Sequence, residues 1–330
     1  MLQSLKIQDF LAFTDKVSLD FSQSINVIIG ENGSGKSTVL KALYWASVFS
    51  QPDEPEFNSW IFTEIFGMNN NGHKFHVNAD TNIDITSDNN HYIINLGSVY
   101  ELTGYIYSHE PINYSKTGAV FIPTTEMLSH SKGFLALNQK YKLPFDSTQV
   151  DIIVNASLPE TRTVSPQMSA IMNSISKVID GTVTFENDVF YVVKNDGTKV
   201  EFSLEAEGLR KLGLIWKLIR NGLLESGTVL LWDEPEANIN PELFPLIADI
   251  LLELQRTGVQ IFIATHSYNL AKYLEIRRDD TEQVKFHNLF KNEQGVIESA
   301  SADSMEGLQS NQIIIADDKL LDEVYKDIMG

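Results

Sequence analysis

The chain has no cysteine, little positive charge and no long apolar run. Without cysteine there is neither a disulfide nor a thiolate metal site, though this leaves the compartment open. The 25 Lys and Arg are outnumbered by 44 Asp and Glu, a net charge of −19 over 330 residues. Broad, nonspecific grip on nucleic acid needs clustered cations that displace counterions, and this balance counts against it. A local basic groove or a basic protein partner stays open. The apolar stretches are strand-sized, short of the roughly 18–20 residues of a membrane span. "MLQSLKIQDFLAF" alternates apolar and polar residues and reads as a first strand rather than a signal peptide. The expectation is a cytosolic protein off the membrane.

With 43% hydrophobic residues the chain can bury a core of its own. "INVIIG" at 25–30 predicts a buried strand, with a helix over Lys36–Val48 and a loop at 51–58. From 68 to 116, Asn, Asp and Gly separate the short stretches "KFHVNA", "NIDIT" and "HYIINL", which predicts an antiparallel β section. "AVFIP" at 119–123 is a strand stopped by proline, and 125–179 reads as helices and loops. Two or three strands follow over 182–204, with a hairpin at Asn195-Asp196-Gly197. Helices from about Gly208 to Asn221, over 241–256 and from Ser267 then alternate with strands at 228–232 and 259–264. "HNLFKNEQGVIESAS" predicts another hairpin, and the C-terminal stretch a short strand or loop before an amphipathic helix. Strands alternating with helices at both ends predict an α/β fold with a parallel sheet. No heptad pattern is sustained, which excludes a long coiled coil.

Two motifs carry chemistry. "GENGSGKST" (30–38) fits G-x-x-x-x-G-K-[ST] and sits where the motif requires, after an apolar strand and before a helix. Gly30, Gly33 and Gly35 let the backbone wrap closely around a phosphate, with the amides of Asn32 and Ser34 in the same loop. The helix N-terminus adds its positive end. Lys36 is expected at the β- and γ-phosphates, Ser37 on Mg²⁺ and Thr38 at the α-phosphate. The second motif is "VLLWDEPEANINP" (229–241), a buried strand running into carboxylates. In a P-loop fold a carboxylate on a neighbouring strand end anchors the magnesium, and Asp233 stands there. Glu234 follows as the expected base for an attacking water. The GTPase motif Asn-Lys-x-Asp is absent, which favours ATP.

Together with "IFIATHS", these stretches resemble the ABC-type ATPase heads of the SMC, RecF and OLD-like group. The likeness is strongest to small bacterial ATP-binding proteins with an AAA domain, of the kind found in phage-defence systems of the Septu and retron-associated type. "FIPTTEMLS", "AEGLRKLGLIWKLIRNG" and "IATHSYNLAKYLE" extend the resemblance over most of the chain. It implies a single ABC-type head, with a nucleotide lobe from 1–120 and 225–330 and an inserted helical and hairpin lid at 121–224. It implies His266 as the switch histidine at the γ-phosphate. It also implies a homodimer or higher oligomer around two ATPs, slow turnover, and a separately encoded effector such as a nuclease or toxin. A DNA-repair or chromosome-handling ATPase and a nucleotide-gated scaffold are the alternatives.

Several positions depart from the family pattern or keep two readings. Where the family signature has Ser-Gly-Gly, the chain has Ala206-Glu207-Gly208. Gly208 is retained at the expected trans-phosphate contact. Arg210 is either a trans phosphate ligand or a solvated basic turn. Asn240 stands in the place of the usual D-loop aspartate, or caps a helix that begins at Pro241. Glu126 holds the metal or water, or favours a local helix start. Phe10 and Phe13 lie against adenine or belong to the core. His73 and His76 are too few, and on opposite strand faces, to bind a metal, and "IRRDDTE" (276–282) reads as a solvated face.

Overall fold

The computed structural model describes residues 1–48, 64–66, 77–88, 91–96, 102–107 and 118–329. The expected loop at 51–58, His73 and His76 lie outside these residues.

Strands are numbered in chain order. β1 (Leu2–Phe10), β2 (Val17–Asp20), β4 (Val77–Ser87), β5 (His91–Leu96) and β6 (Leu102–Tyr107) pair antiparallel in the order β2-β1-β4-β5-β6. β3 (Ile25–Gly30), β7 (Ala119–Ile122), β11 (Val229–Asp233), β12 (Gln260–Thr265), β13 (Val284–Lys291) and β14 (Ile297–Ala302) form the second sheet. Its order is β14-β13-β3-β12-β11-β7, parallel except for the β13–β14 hairpin. The predicted parallel sheet is therefore present, and so is the antiparallel section.

α1 (Lys36–Val48) packs between the two sheets. Ile28, Leu231, Phe262 and Ala264 face it, together with Leu5 and Ile83 from the first sheet. The alternate residues Val27, Ile29, Leu230, Trp232, Ile261 and Ile263 face the opposite way. They pack in the core that also holds α5 (Glu207–Arg220), α6 (Phe244–Arg256) and α7 (Tyr268–Arg277). Parallel strands covered on both faces need apolar residues at every position. That is why these strands read as unbroken apolar runs.

Between β7 and α5 come α2 (Phe134–Tyr141), α3 (Ser147–Ser157) and α4 (Pro166–Ile179), then β8 (Gly181–Glu186), β9 (Val189–Lys194) and β10 (Lys199–Glu201). Asp146 and Gln149 close a capping box on α3, and Ser165 caps α4 with Pro166 at its first position. The hairpin predicted at 195–197 joins β9 to β10.

Two boundaries differ from the sequence expectation. Residues 241–243 form a 3-10 turn, so α6 starts at Phe244, because Asn240 and Pro241 close a tight turn of their own. The stretch after Asn311 is not a strand. It opens α8 (Gln312–Met329), where the Asn311 side chain accepts from the Ile314 amide and Ile313 and Ile314 pack on the core. Helical spacing thus prevails over the β-branched run. Among the described residues no helix is long and apolar enough to cross a membrane.

Candidate nucleotide site

β3, β11 and β12 end at one edge of the parallel sheet, and the loop between β3 and α1 lies there. Two glycines of this loop are required by geometry. Gly30 has φ +150°, and a Cβ on it would lie 2.2 Å from the Leu289 carbonyl oxygen. Gly35 has φ +92°, and a Cβ there would meet the Phe13 ring at 2.4 Å. Phe13 and Phe10 are buried, so the core reading of both holds. The Ser34 hydroxyl is buried and has no hydrogen-bond partner, an orphan polar atom inside the loop.

Lys36 opens α1 and is buried. Its ammonium donates to the Gly30 carbonyl at 2.9 Å and the Glu31 carbonyl at 2.8 Å. Burial lowers its pKa to about 8, against the pull of Glu234 and Asp233. Ser37 lies next to Asp233, the last residue of β11, whose carboxyl is raised by burial and drawn part of the way back by the Ser37 hydroxyl. Thr38 is in the first turn of α1, while Asn32 and Gly33 are exposed on the loop.

Glu234 has φ +50°, in the left-handed region that side chains other than glycine rarely adopt. Its amide donates to the Ala264 carbonyl at 2.9 Å, tying the end of β11 to β12. The turn aims its carboxylate at His266, Oε1 to Nε2 at 3.3 Å. The His266 imidazole is kept below its usual pKa by burial first and by the Lys36 charge second, with Glu234 opposing. Beside these groups lies a cleft of about 490 Å³, lined by Gly30, Asn32, His266, Tyr268 and Ile313 among others. α8 closes one of its sides.

The residues fit a triphosphate with magnesium. The loop carries an unpartnered hydroxyl and a buried ammonium held only by carbonyl dipoles, and Ser37 with Asp233 offers a hydroxyl and a carboxylate suited to a hard cation. Lys36, Ser37, Asp233, Glu234 and His266 are all brought to this one edge.

Comparison with known proteins agrees with this geometry. A family model described as an AAA ATPase domain matches residues 1–143. A second, described as an AAA domain with an AbiEii toxin, type IV toxin–antitoxin assignment, matches 129–272. The chromosome partition protein Smc of Desulfitobacterium hafniense (strain Y51) is 50% identical over 44 residues, 13% of this chain and 4% of that protein. The arginine transport ATP-binding protein ArtP of Haemophilus influenzae is 34% identical over 94 residues, 28% of this chain and 35% of that protein. The chain thus spans only a minor part of the curated relatives it matches. The structure of an Smc head bound to the C-terminal winged-helix domain of ScpA superposes with a TM-score of 0.54 at 13% identity, covering 91% of this chain and 97% of that one. The fold is that of an SMC-type ATPase head.

Within this fold the segment that stands in the place of the signature is turned inward. The Arg210 guanidinium lies 3.3 Å from the Glu126 carboxylate, with 15% and 3% of the two side chains exposed. The solvated-turn reading of Arg210 therefore does not hold. Glu126 also accepts from the Leu128 amide at 2.5 Å and the Ser129 amide at 3.2 Å, which matches its reading as a helix-start carboxylate. Gly208 lets α5 approach the loop after β11: a Cβ there would lie 3.1 Å from the Asn238 carbonyl oxygen. Asn238 in turn donates to Glu207 at 2.9 Å. Asn240 caps the turn at Pro241, accepting from the Glu242 amide at 3.1 Å. "IRRDDTE" is an ion-paired face, with Arg277 on Asp249 and with Asp279 and Glu282 on Arg256.

Two residues have contacts here that the sequence does not reveal. Lys211 is buried and donates to the carbonyls of Glu234 (3.3 Å) and Ala237 (2.8 Å), pinning α5 to the β11 turn. Glu236 accepts from the Thr265 hydroxyl and the His266 amide. A carboxylate placed directly after Pro235, facing a strand that ends in Thr-His-Ser, was the available signal.

Proposed function

We propose that this chain binds and hydrolyses ATP as a molecular switch that dimerises around the nucleotide and controls a separately encoded effector, in bacterial anti-phage defence. The observation that carries the reading is the convergence of the phosphate loop, the Ser37–Asp233 pair and the Glu234–His266 pair on one sheet edge. Lys36 would exchange its bonds to the Gly30 and Glu31 carbonyls for phosphate oxygens. Ser37 and Asp233 would hold magnesium, which neutralises phosphate charge when bound. Glu234, oriented by its left-handed turn, would take the proton of the attacking water, and His266 would hold that carboxylate and report on the γ-phosphate. Gly208, Arg210 and Asn240 would face the ATP of a second copy. Arg210 reaches that role by leaving Glu126. The γ-phosphate then acts as the joint between subunits, and its loss releases them.

The toxin–antitoxin wording of the second family model supports the defence setting, and the Smc similarity supports the rival reading of a DNA-handling ATPase. DNA binding that tightens with ATP and weakens with salt would favour the rival, against the −19 charge. The deciding experiment for the switch is Glu234→Gln. It should bind ATP with wild-type affinity, hydrolyse it at least about 100-fold more slowly and accumulate as a dimer in light scattering. Wild-type turnover in that variant would place the base elsewhere.

A further inference from the structure

We propose that Glu236 is a positioning residue that fixes His266 from behind, so that two carboxylates of one loop hold the two ends of the same histidine. Glu234 meets the imidazole at Nε2. Glu236 Oε1 accepts from the His266 backbone amide at 2.8 Å and from the Thr265 hydroxyl at 2.7 Å. The Thr265 hydroxyl in turn accepts from the Ser267 amide at 3.0 Å, and Ser267 caps α7. Every group at the corner where β12 becomes α7 is thereby referred back to one carboxylate on the β11 loop.

A structural role alone does not account for this carboxylate. Its second oxygen, Oε2, is buried with no hydrogen-bond partner. A buried acceptor left unpaired works against the folded state, so packing alone does not explain the group. The loop is also held at fixed distance from both neighbours: the Glu234 amide bonds to β12, and Lys211 bonds the Glu234 and Ala237 carbonyls to α5. Glu236 sits between these two anchors, and its Oε1 carries the position of β11 to the His266 main chain. Displacement of a reacting group by about 1 Å costs on the order of 100-fold in rate, so this corner is where small errors are amplified.

The inference rests on the ATPase reading for its kinetic arm only. Glu236→Ala should lower kcat for ATP by roughly 10- to 100-fold with little change in KM. Glu236→Gln, which keeps an acceptor oxygen for both donors, should restore most of it. Combined with His266→Ala, the Glu236→Ala effect should be far less than multiplicative, because both changes act through one side chain. The second arm needs no turnover: the His266 Cε1–H resonance of the nucleotide-free protein, assigned by loss in His266→Gln. It should be a single sharp line in wild type and Glu236→Gln, and displaced or split in Glu236→Ala. Should Glu236→Ala fail to fold, Thr265→Val removes one of the two donors and should give the same changes in smaller measure. An unmoved resonance in folded Glu236→Ala or Thr265→Val, or multiplicative losses with His266→Ala, would overturn the role. A displaced resonance in a protein without any ATPase activity would keep the positioning and remove the proposed function instead.

Discussion

The sheet edge that gathers Lys36, Asp233, Glu234 and His266 and the start of α5 treat their charges in opposite ways. At the edge, Glu234 and His266 are each about a third exposed beside a cleft, and Lys36 is bonded only to carbonyl oxygens that a phosphate can replace. At α5, Arg210 is closed onto Glu126, Lys211 onto two carbonyls, and Glu207 onto Asn238. One region is ready for a ligand as it stands. The other must break internal bonds before it can meet anything outside the chain. Under the proposed function, affinity for nucleotide and competence for assembly around it would be separately built, and substitutions can address them one at a time.

The largest effect is expected from Lys36→Ala. It should lower ATP affinity by roughly 100-fold or more, since a charge-assisted contact to phosphate is lost, with thermal stability nearly unchanged. Calorimetric binding equal to wild type would detach the loop from the nucleotide. Next in size is Arg210→Ala, which leaves the Glu126 carboxylate buried opposite no cation. Loss of one partner of a buried pair costs about 3 kcal/mol, measurable by urea denaturation without any nucleotide. A silent substitution would mean that the pair is open in solution and that α5 is as accessible as the edge. Gly35→Ala should cost about 2 kcal/mol through strain against Phe13 and its positive φ. Gly33→Ala, with nothing within 4 Å of the added carbon, should cost less.

A further effect lies away from both regions and is read from pH alone. His287 is buried between Asn26 and Ser301, and burial lowers its pKa to about 3. The folded protein therefore keeps it neutral where the unfolded chain, with a usual value near 6.5, takes a proton. Its contribution is fully present above about pH 6.5 and is lost as pH falls toward 3, at about 1.4 kcal/mol per pH unit. His287→Gln should show a shallower fall of unfolding free energy between pH 6.5 and 4.5, and identical slopes would contradict the neutral assignment.

Sequence patterns made the sheet edge legible because each group there is tied to a local device. Glycines mark the loop, an apolar run marks the strand, and a carboxylate or histidine directly follows it. Asp233, Glu234 and His266 are found by counting from the end of a strand. The partners of α5 are not legible in the same way. Arg210 and Glu126 are 84 positions apart and meet only because β7 and α5 share a core, which no local period encodes. Glu236 was in plain view within "DEPE", yet its role depends on Thr265 and His266 arriving from another strand. α8 was misread at its start because β-branched residues favour strands, whereas Asn311 and the packing of Ile313 and Ile314 decide for helix.

The left-handed backbone of Glu234 sets two evolutionary demands against each other. Glycine would relax that residue and harden the protein by about 1 kcal/mol, while removing the one carboxylate the turn exists to aim. A glutamate in a backbone that suits glycine is what the proposed role of its carboxylate requires, at a cost in endurance.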